Sequence, residues 1–114
     1  MKYDEHLDTA LTAAREAGSI HLALFGKKLQ ISTKKAHFDQ VTQADIEAEK
    51  AVVGIIRRHF PDHNFLAEEE KYEETDSPYT WVIDPLDGTN NFAHGIPIFS
   101  VSIAMAHEGK IVLG

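Results

Sequence analysis

The chain has 114 residues and is 43% hydrophobic and 25% charged, an ordinary globular composition that excludes collagen, a coiled coil or disorder as a description of the whole chain. It contains no Cys, so disulfides and thiolate metal sites are excluded. Of its 18 Asp and Glu residues, nine lie in residues 61–90 beside a single Lys; this acidic stretch argues against nucleic acid and membrane surfaces as partners and suits a hard cation or a solvated loop.

The N-terminal segment predicts one amphipathic helix over residues 4–25. Its apolar side chains recur at spacings of three and four, and Gly26 provides a stop. On this apolar face His21 is expected to be a buried histidine with satisfied hydrogen bonds, not a metal ligand. No apolar run typical of a signal peptide or a membrane span is present, so we expect a cytoplasmic protein. The predicted inward face consists of Leu7, Leu11, Ala14, Gly18, His21 and Phe25.

The middle segment predicts a β-hairpin followed by a helix. Residues 29–32 and 38–41 are short runs separated by a basic turn, which indicates two strands. Thr42 begins a Thr-x-x-Asp pattern that resembles a helix cap, and the helix is expected to run to about His59, because Pro61 ends it. The residues predicted to face inward are Val52, Ile55, Ile56 and Phe60.

The remaining residues predict a mixed α/β (α+β) fold. Apolar runs separated by turn residues indicate four strands, at 64–67, 80–84, 100–106 and 111–113. Pro85 is expected to stop the second strand, since proline cannot donate to a ladder, and Gly109 predicts a tight hairpin turn between the last two. Because the sequence ends within a predicted strand, we expect these residues to be part of a longer protein.

The strongest chemical feature is an Asp-x-x-Asp-Gly-Thr pattern directly after an apolar strand. It delivers Asp84 and Asp87 to the carboxyl end of that strand, and Gly88 permits a sharp turn into a short helix that begins at Thr89. N–H groups at a helix N-terminus suit a phosphate, and Mg²⁺ commonly bridges carboxylates to phosphate. The alternative interpretation is an Asx-type turn with two surface carboxylates.

Two further acids could join this pair. Glu68 follows the strand at 64–67 as Asp84 ends its own strand, so the two carboxylates converge if the strands are parallel neighbours. Asp45 is expected in the first turn of its helix, where an acid is favourable. The other acids of the stretch are expected to form a solvated loop; they are Asp62, Glu69, Glu70, Glu73, Glu74 and Asp76.

Other kinds of site find less support in the sequence. His59 and His63 are four residues apart, but Pro61 between them breaks the helix that a zinc pair needs. The regular Asp-x-Asp spacing of a Ca²⁺-binding loop is absent. Neither a Gly-rich phosphate loop nor a Ser-His-Asp arrangement can be argued.

Three motifs, in this order, resemble the signature of the inositol monophosphatase family. They are Asp-Gln-Val-Thr-Gln-Ala-Asp at 39–45, Phe-Leu-Ala-Glu-Glu at 65–69, and Asp-Pro-Leu-Asp-Gly-Thr-Asn-Asn-Phe at 84–92 with His-Gly-Ile-Pro at 94–97 and Val-Ser-Ile-Ala at 101–104. Members of this family are Mg²⁺-dependent, commonly lithium-sensitive phosphatases of small phosphomonoesters. The resemblance covers essentially the whole chain and implies the αβαβα sandwich of the sugar-phosphatase fold, of which residues 1–114 would form the first layers.

The resemblance implies a magnesium site of two or three ions. Glu68, Asp84 and the backbone carbonyl of Leu86 would bind the first ion, and Glu68 counts among the catalytic residues. Asp84 would bridge to a second ion, which Asp87 also binds. Leu86 stands where Ile is common in the family, but the ligand is its carbonyl, so the change should not matter.

The resemblance also assigns catalytic and substrate-binding roles. Asp45 and Thr89 would orient and deprotonate the attacking water, and the N–H groups of Gly88 and Thr89 would hold the phosphate. Lys34 matches a basic residue near the metal site. The implied phosphate- and substrate-binding set is Asp87, Gly88, Thr89 and Asn90.

The chain departs from the family in its length. Members are more than twice as long, and their second half supplies another Asp that completes the second metal site. We therefore interpret residues 1–114 as the N-terminal part of an inositol-monophosphatase-like domain, truncated before its C-terminal half and homodimeric in full-length form.

Three substrates are compatible with the resemblance. The expected one is a small phosphorylated polyol or sugar, foremost inositol monophosphate, with fructose 1,6-bisphosphate as the alternative and a 3′-phosphoadenosine nucleotide ranked below them. A hypothesis from another class is that the chain as it stands is a non-catalytic module that binds metal or self-associates.

Overall fold

The computed structural model describes residues 2–26 and 34–114, and of residues 34–42 it describes the backbone only. The elements within these ranges are α1 (Asp4–Leu24), α2 (Lys34–His59), β1 (Asn64–Ala67), β2 (Tyr79–Asp87), α3 (Thr89–Ala93), β3 (Ser100–His107) and β4 (Lys110–Leu113). No helix in these ranges combines the length and the apolar character that crossing a membrane requires.

The strands form one mixed sheet in the order β1-β2-β3-β4. β1 runs parallel to β2, and the β2–β3 and β3–β4 pairs are antiparallel. The tight turn predicted at Gly109 is confirmed, with φ of 53° at Glu108 and 80° at Gly109, the backbone that a two-residue hairpin loop needs. The predicted mixed α+β class and the four strands after residue 63 are therefore confirmed.

One face of the sheet is covered by the two long helices. Trp81 and Ile83 of β2 and Met105 of β3 are at most 2% exposed and pack in one cluster with side chains of α1 and α2. Successive strand residues alternate between faces, and on the opposite face Leu66 is 64% exposed and Val82 37% exposed. The main core therefore lies between the sheet and these helices.

α1 nearly matches its predicted bounds, but its buried face is not the predicted one. Leu7 and Leu11 are 42% and 44% exposed, which makes the assignment of these leucines to the core wrong. Both faces carry apolar residues at helical spacing, and the small side chains of the alanine face let α1 approach α2 closely. The buried positions are Thr9, Ala10, Ala13, Ala17, His21 and Leu24.

α2 corrects the predicted hairpin. Residues 38–41 lie inside this helix, which begins at Lys34, and the predicted partner strand at 29–32 lies outside the described residues. A run of four residues cannot distinguish strand from helix by periodicity. Thr42 is therefore an interior helical residue and not an N-cap. The predicted end at His59 and the burial of Val52, Ile55 and Ile56 are confirmed, while Phe60 is partly buried.

β2 continues past Pro85, although the sequence predicted that the strand stops there. Asp84 pairs with Ser102. Asp87 pairs with Ser100, so β2 contains one more residue than β3 between these two pairs. Such a β-bulge tolerates a proline, because the ladder of hydrogen bonds is interrupted there, and it bends the strand. The bent segment is the one that carries both aspartates.

His63 makes the stability of this fold depend on pH. Its ring lies 4.6 Å from both the Phe60 ring and the Tyr79 ring, centroid to centroid, and the indole Nε1–H of Trp81 donates to its Nδ1 at 2.9 Å. Burial, and then the proximity of His6, lowers the pKa of His63 to about 4. Between pH 4 and about 6.5, the ordinary pKa of histidine, the unfolded chain binds a proton that the folded chain does not. Stability that is present above about pH 6.5 is therefore lost as the pH falls toward 4.

We expect His63→Gln to remove this loss. The glutamine carbonyl can still accept from Trp81 but does not titrate. The free energy of unfolding of the variant minus that of the wild type should therefore be about 1 kcal/mol larger at pH 4.5 than at pH 7. This is well below the full linkage value, because the His63 ring is only half-buried. Urea unfolding at the two pH values measures this difference. A wild-type-to-variant difference that is the same at both would contradict it.

Candidate active site

The carboxyl ends of β1 and β2 bring two predicted site residues side by side. Parallel pairing aligns Ala67 with Ile83, so Glu68 and Asp84 are the next residues of two adjacent strands. The expectation that these strands are parallel neighbours is confirmed. Loss of surrounding solvent, and then the charge of Asp84, raises the pKa of Glu68. The two carboxylates therefore interact.

The bulge that carries the aspartates rests on α1. The Nε2–H of His21 donates to the carbonyl of Pro85 at 2.7 Å, and the His21 ring is 2% exposed. The backbone N–H of Leu86 donates to Oδ1 of Asp84 at 3.2 Å. The prediction of a buried, satisfied histidine is confirmed, and its partner is the backbone between Asp84 and Asp87.

The short helix α3 follows the acidic strand end, as predicted. Gly88 precedes it with φ of 92°, a conformation that favours glycine, and Thr89 and Asn90 begin the helix with exposed side chains. Phe92 is 3% exposed and anchors the helix in a second apolar cluster. Its buried neighbours there are Leu24, Ala44 and Leu86. Packing against α1 and α2 thus fixes α3 beside the bulge.

Gly88 is the position at which a side chain would most disturb this backbone. A Cβ there would lie 2.9 Å from the carbonyl oxygen of Ile98 and 3.2 Å from the Cα of Phe99. We expect Gly88→Ala to lower the free energy of unfolding by about 3 kcal/mol, because it combines strain at positive φ with a backbone clash. Gly95→Ala is the matched control and should lose about 1 kcal/mol, since Gly95 has φ of 73° but no atom of the described residues within 4 Å of an added Cβ. Urea unfolding followed by Trp81 fluorescence compares the two, and equal losses would contradict the clash.

The sequence suggested that Asp45 lies in the first turn of a helix, but it lies well inside α2. The helix begins eleven residues earlier, so the helix-dipole argument does not apply. Asp45 is 9% exposed, and its Oδ1 is buried without a hydrogen-bond partner among the described residues. Burial, and then neighbouring carboxylates, raises its pKa to about 7; the carboxylates are Glu69, Glu68, Asp84 and Glu49. All the charges that raise it are negative, so a cation close to Asp45 would lower this pKa.

The chemistry of the donor set fits a hard divalent cation. Glu68, Asp84, Asp87 and the Leu86 carbonyl offer only oxygen atoms, the ligands that Mg²⁺ takes. Within residues 2–26 and 34–114, excluding the side chains of 34–42, no three His, Asp or Glu side chains are close enough to hold an ion as they stand. Carboxylates without a counter-ion repel one another. Ion binding would therefore require these side chains to draw together.

Two further residues of interest, Lys34 and Glu49, lie on α2. Lys34 is the first residue of α2, and its side chain lies outside the described part of the chain, so its role stays a prediction. Glu49 was not predicted as a site residue, yet it is 1% exposed and its carboxylate accepts from the backbone N–H that follows Glu68. The available signal was its position one helical turn after Asp45, on the same face.

Comparison with known proteins identifies the family. The model of the inositol monophosphatase family matches residues 2–114. The chain belongs to the inositol monophosphatase family. Among relatives in it, the fructose-1,6-bisphosphatase/inositol-1-monophosphatase of Thermotoga maritima is 39% identical over 110 residues, which are 96% of this chain and 42% of that protein. Human inositol monophosphatase 1 is 38% identical over an alignment of 117 residues, which covers 98% of this chain and 42% of that protein.

Solved structures give the same result for the fold. The inositol monophosphatase of Anabaena (Nostoc) sp. PCC 7120 superposes with a TM-score of 0.77 at 40% identity, over 97% of this chain and 38% of that one. The chain therefore has the fold of the matching part of an inositol monophosphatase. This family consists of metal-dependent phosphatases that act on phosphorylated small molecules. The chain spans about two-fifths of the length of the relatives that it matches.

Proposed function

We propose that the protein hydrolyses small phosphomonoesters with Mg²⁺, foremost an inositol monophosphate. The observation that carries this proposal is the convergence of carboxylates from three elements. These elements are α2 with Asp45, β1 with Glu68 directly after it, and β2 with Asp84. Burial, and then the charges of neighbouring carboxylates, raises the pKa of Asp45 and of Glu68, and Asp84 is one of those neighbours for both. Family membership supports phosphate-ester hydrolysis as the use of such a site.

In this proposal Asp45 and Thr89 bind and activate the attacking water. Among the described residues, one buried oxygen of Asp45 has no hydrogen-bond partner, and it can accept a proton from water, the task of a general base. The Thr89 hydroxyl would orient the same water molecule. The first N–H groups of a helix lack intrahelical partners, so those of Gly88 and Thr89 are available to phosphoryl oxygens. The exposed Asn90 side chain would contact the substrate beside them.

The cation would be held by the strand ends. Glu68, Asp84, Asp87 and the Leu86 carbonyl would bind two or three Mg²⁺, with Lys34 adding a nearby positive charge. Mg²⁺ bound there would supply Lewis-acid stabilisation of developing negative charge and lower the pKa of a water molecule. The contribution of the chain is to bring these carboxylates to neighbouring strand ends, from which they would draw together around the ion.

The substrate is best identified with a panel. Inositol 1-phosphate, fructose 1,6-bisphosphate and a 3′-phosphoadenosine nucleotide are offered to the complete product of the gene, with and without Mg²⁺, and released phosphate is measured. We expect the highest kcat/KM for inositol 1-phosphate and inhibition by Li⁺. The name of the Thermotoga relative covers both of the first two substrates, so comparable rates for both would support a dual activity. No Mg²⁺-dependent release from any of the three would contradict the proposal.

The proposed domain organisation and oligomeric state also come from the resemblance to the inositol monophosphatase family. Residues 1–114 would be the N-terminal part of one domain, in a cytoplasmic homodimer. The contrasting hypothesis, a non-catalytic module that binds metal or self-associates, is motivated by the share of its relatives that the chain spans. Mg²⁺-dependent turnover by the purified 114-residue chain, with contaminating phosphatase excluded, would rule the module out.

A further inference from the structure

Glu49 is a buried carboxylate that binds the chain directly after Glu68. It lies on α2 and is 1% exposed. Its Oε1 accepts from the backbone N–H of Glu69 at 2.9 Å, and its Oε2 accepts from the N–H of Glu70 at 3.0 Å. The hydroxyl of Tyr72 also donates to Oε2, at 2.8 Å. Three donors from one short segment thus converge on a single carboxylate.

These bonds hold a segment that has no regular structure of its own. Residues 68–78 join β1 to β2 and form neither helix nor strand, and the side chains of Glu69 and Glu70 are exposed, as the sequence predicted. The backbone, however, is not a free loop, since hydrogen bonds to a charged acceptor are about twice as strong as neutral ones. Glu68 therefore lies between two fixed points, the β1–β2 pairing at Ala67 and the bonds to Glu49.

Glu49 adds a buried carboxylate to the face of α2 that carries Asp45. It stands four residues after Asp45 on one helix, where like charges repel. A neutral amide has one acceptor oxygen and could not accept from all three donors, which bond to both carboxylate oxygens. A carboxylate suits a site at which a bound cation offsets the accumulated negative charge.

We infer that Glu49 is a positioning residue, which fixes the backbone after Glu68 so that the Glu68 carboxylate faces Asp84 across the strand ends. The inference rests on the proposed function, because it assigns Glu49 to the cation site of that function. Glu49 does not touch the cation or the substrate; it acts through Glu68. Partners that orient metal ligands typically change metal affinity 10–100-fold when they are removed.

Glu49→Gln in the complete product of the gene tests this inference, because the variant keeps the shape but offers a second N–H donor in place of one acceptor. We expect the Kd for Mg²⁺, measured from the Mg²⁺ concentration dependence of thermal stabilisation, to rise about 10–100-fold. Amide hydrogen exchange at Glu69 and Glu70 should accelerate in the same variant. Glu47→Gln is the matched control, since Glu47 is an exposed acid of the same helix, and should leave both measurements unchanged.

A second variant keeps the inference testable if Glu49→Gln does not fold. Tyr72→Phe removes only the hydroxyl bond to Oε2 and leaves the two backbone donors in place. It should therefore raise the Kd for Mg²⁺ about threefold, less than the 10–100-fold expected when the whole tie is lost. If Glu49→Gln folds, faster exchange together with a wild-type Kd would overturn the inference. If it does not fold, a wild-type Kd in Tyr72→Phe would do so. Neither result would contradict the proposed phosphatase function. A wild-type protein that shows no Mg²⁺-dependent stabilisation or turnover would instead contradict the proposed function.

Discussion

Asp84→Asn in the complete product of the gene is expected to lower Mg²⁺-dependent phosphatase turnover by about 10³-fold or more. Asp84 lies at the centre of the site, between Glu68 of the neighbouring strand and the bulge that leads to Asp87. An amide has nearly the same shape but lacks the negative charge that binds the cation. The variant should therefore need more Mg²⁺ and have a lower kcat, and raising the Mg²⁺ concentration should restore only part of the turnover.

The control for this variant comes from the same acidic stretch. Asp76→Asn removes one charge from an exposed position in the loop between β1 and β2 and should keep turnover within about twofold, since charges at a surface are screened by solvent. The comparison separates a specific role of Asp84 from the general negative field of residues 61–90. Equal losses in the two variants, or wild-type turnover in Asp84→Asn, would contradict the assignment.

Asp45→Asn is expected to have opposite effects on activity and on stability. Turnover should fall by about 10²- to 10³-fold, the usual contribution of a general base. The metal-free protein should at the same time become more stable at pH 8, because the substitution removes a buried charge that repels Glu68, Glu69 and Asp84.

The direction of the stability change follows from the pKa of Asp45. Without a cation it is raised to about 7 in the folded chain, against an ordinary value of about 3.9. Between these values the folded chain holds a proton that the unfolded chain has lost, so stability present below about pH 4 is lost as the pH rises toward 7 and stays lost above it. Asparagine does not titrate and avoids this loss, which we put at about 2 kcal/mol, below the full linkage value because opening of the site relieves part of the repulsion.

Urea unfolding at pH 5 and pH 8, with and without Mg²⁺, measures the stability effect. In the absence of Mg²⁺ the variant should exceed the wild type by more at pH 8 than at pH 5. Added Mg²⁺ should narrow this advantage, because it neutralises the carboxylates of the wild type. An advantage that is equal at both pH values would show that Asp45 is not the group that titrates.

Except at the carboxyl end of β2, the strand boundaries after residue 63 could be predicted from the sequence, because short apolar runs there are separated by strong turn residues. Glu68 and Asp84 were placed correctly for the same reason, since each follows such a run. The bulge at Pro85 could not be predicted, because whether a proline ends a strand or lies in a bulge depends on its partner strand. Here β3 continues to pair with β2 beyond the proline, at Asp87.

The helices show where local pattern is insufficient. Leu7 and Leu11 follow helical spacing as well as the alanines of α1 do, and only the close approach of α2 determines which face is buried. Glu49 was missed because a charged residue on a helix is ordinarily exposed. Its partners, the N–H groups of Glu69 and Glu70, are twenty and twenty-one residues away in sequence. No local motif indicates such a contact.

We expect the ends of β1 and β2 to bind a divalent cation beside Asp45. Anomalous diffraction from crystals of the complete gene product soaked in Mn²⁺, a stand-in for Mg²⁺ with similar oxygen ligands, tests this expectation. We expect an anomalous peak within about 2.5 Å of carboxylate oxygens of both Glu68 and Asp84. A protein that hydrolyses phosphomonoesters with Mn²⁺ while its anomalous peaks lie elsewhere would contradict this expectation.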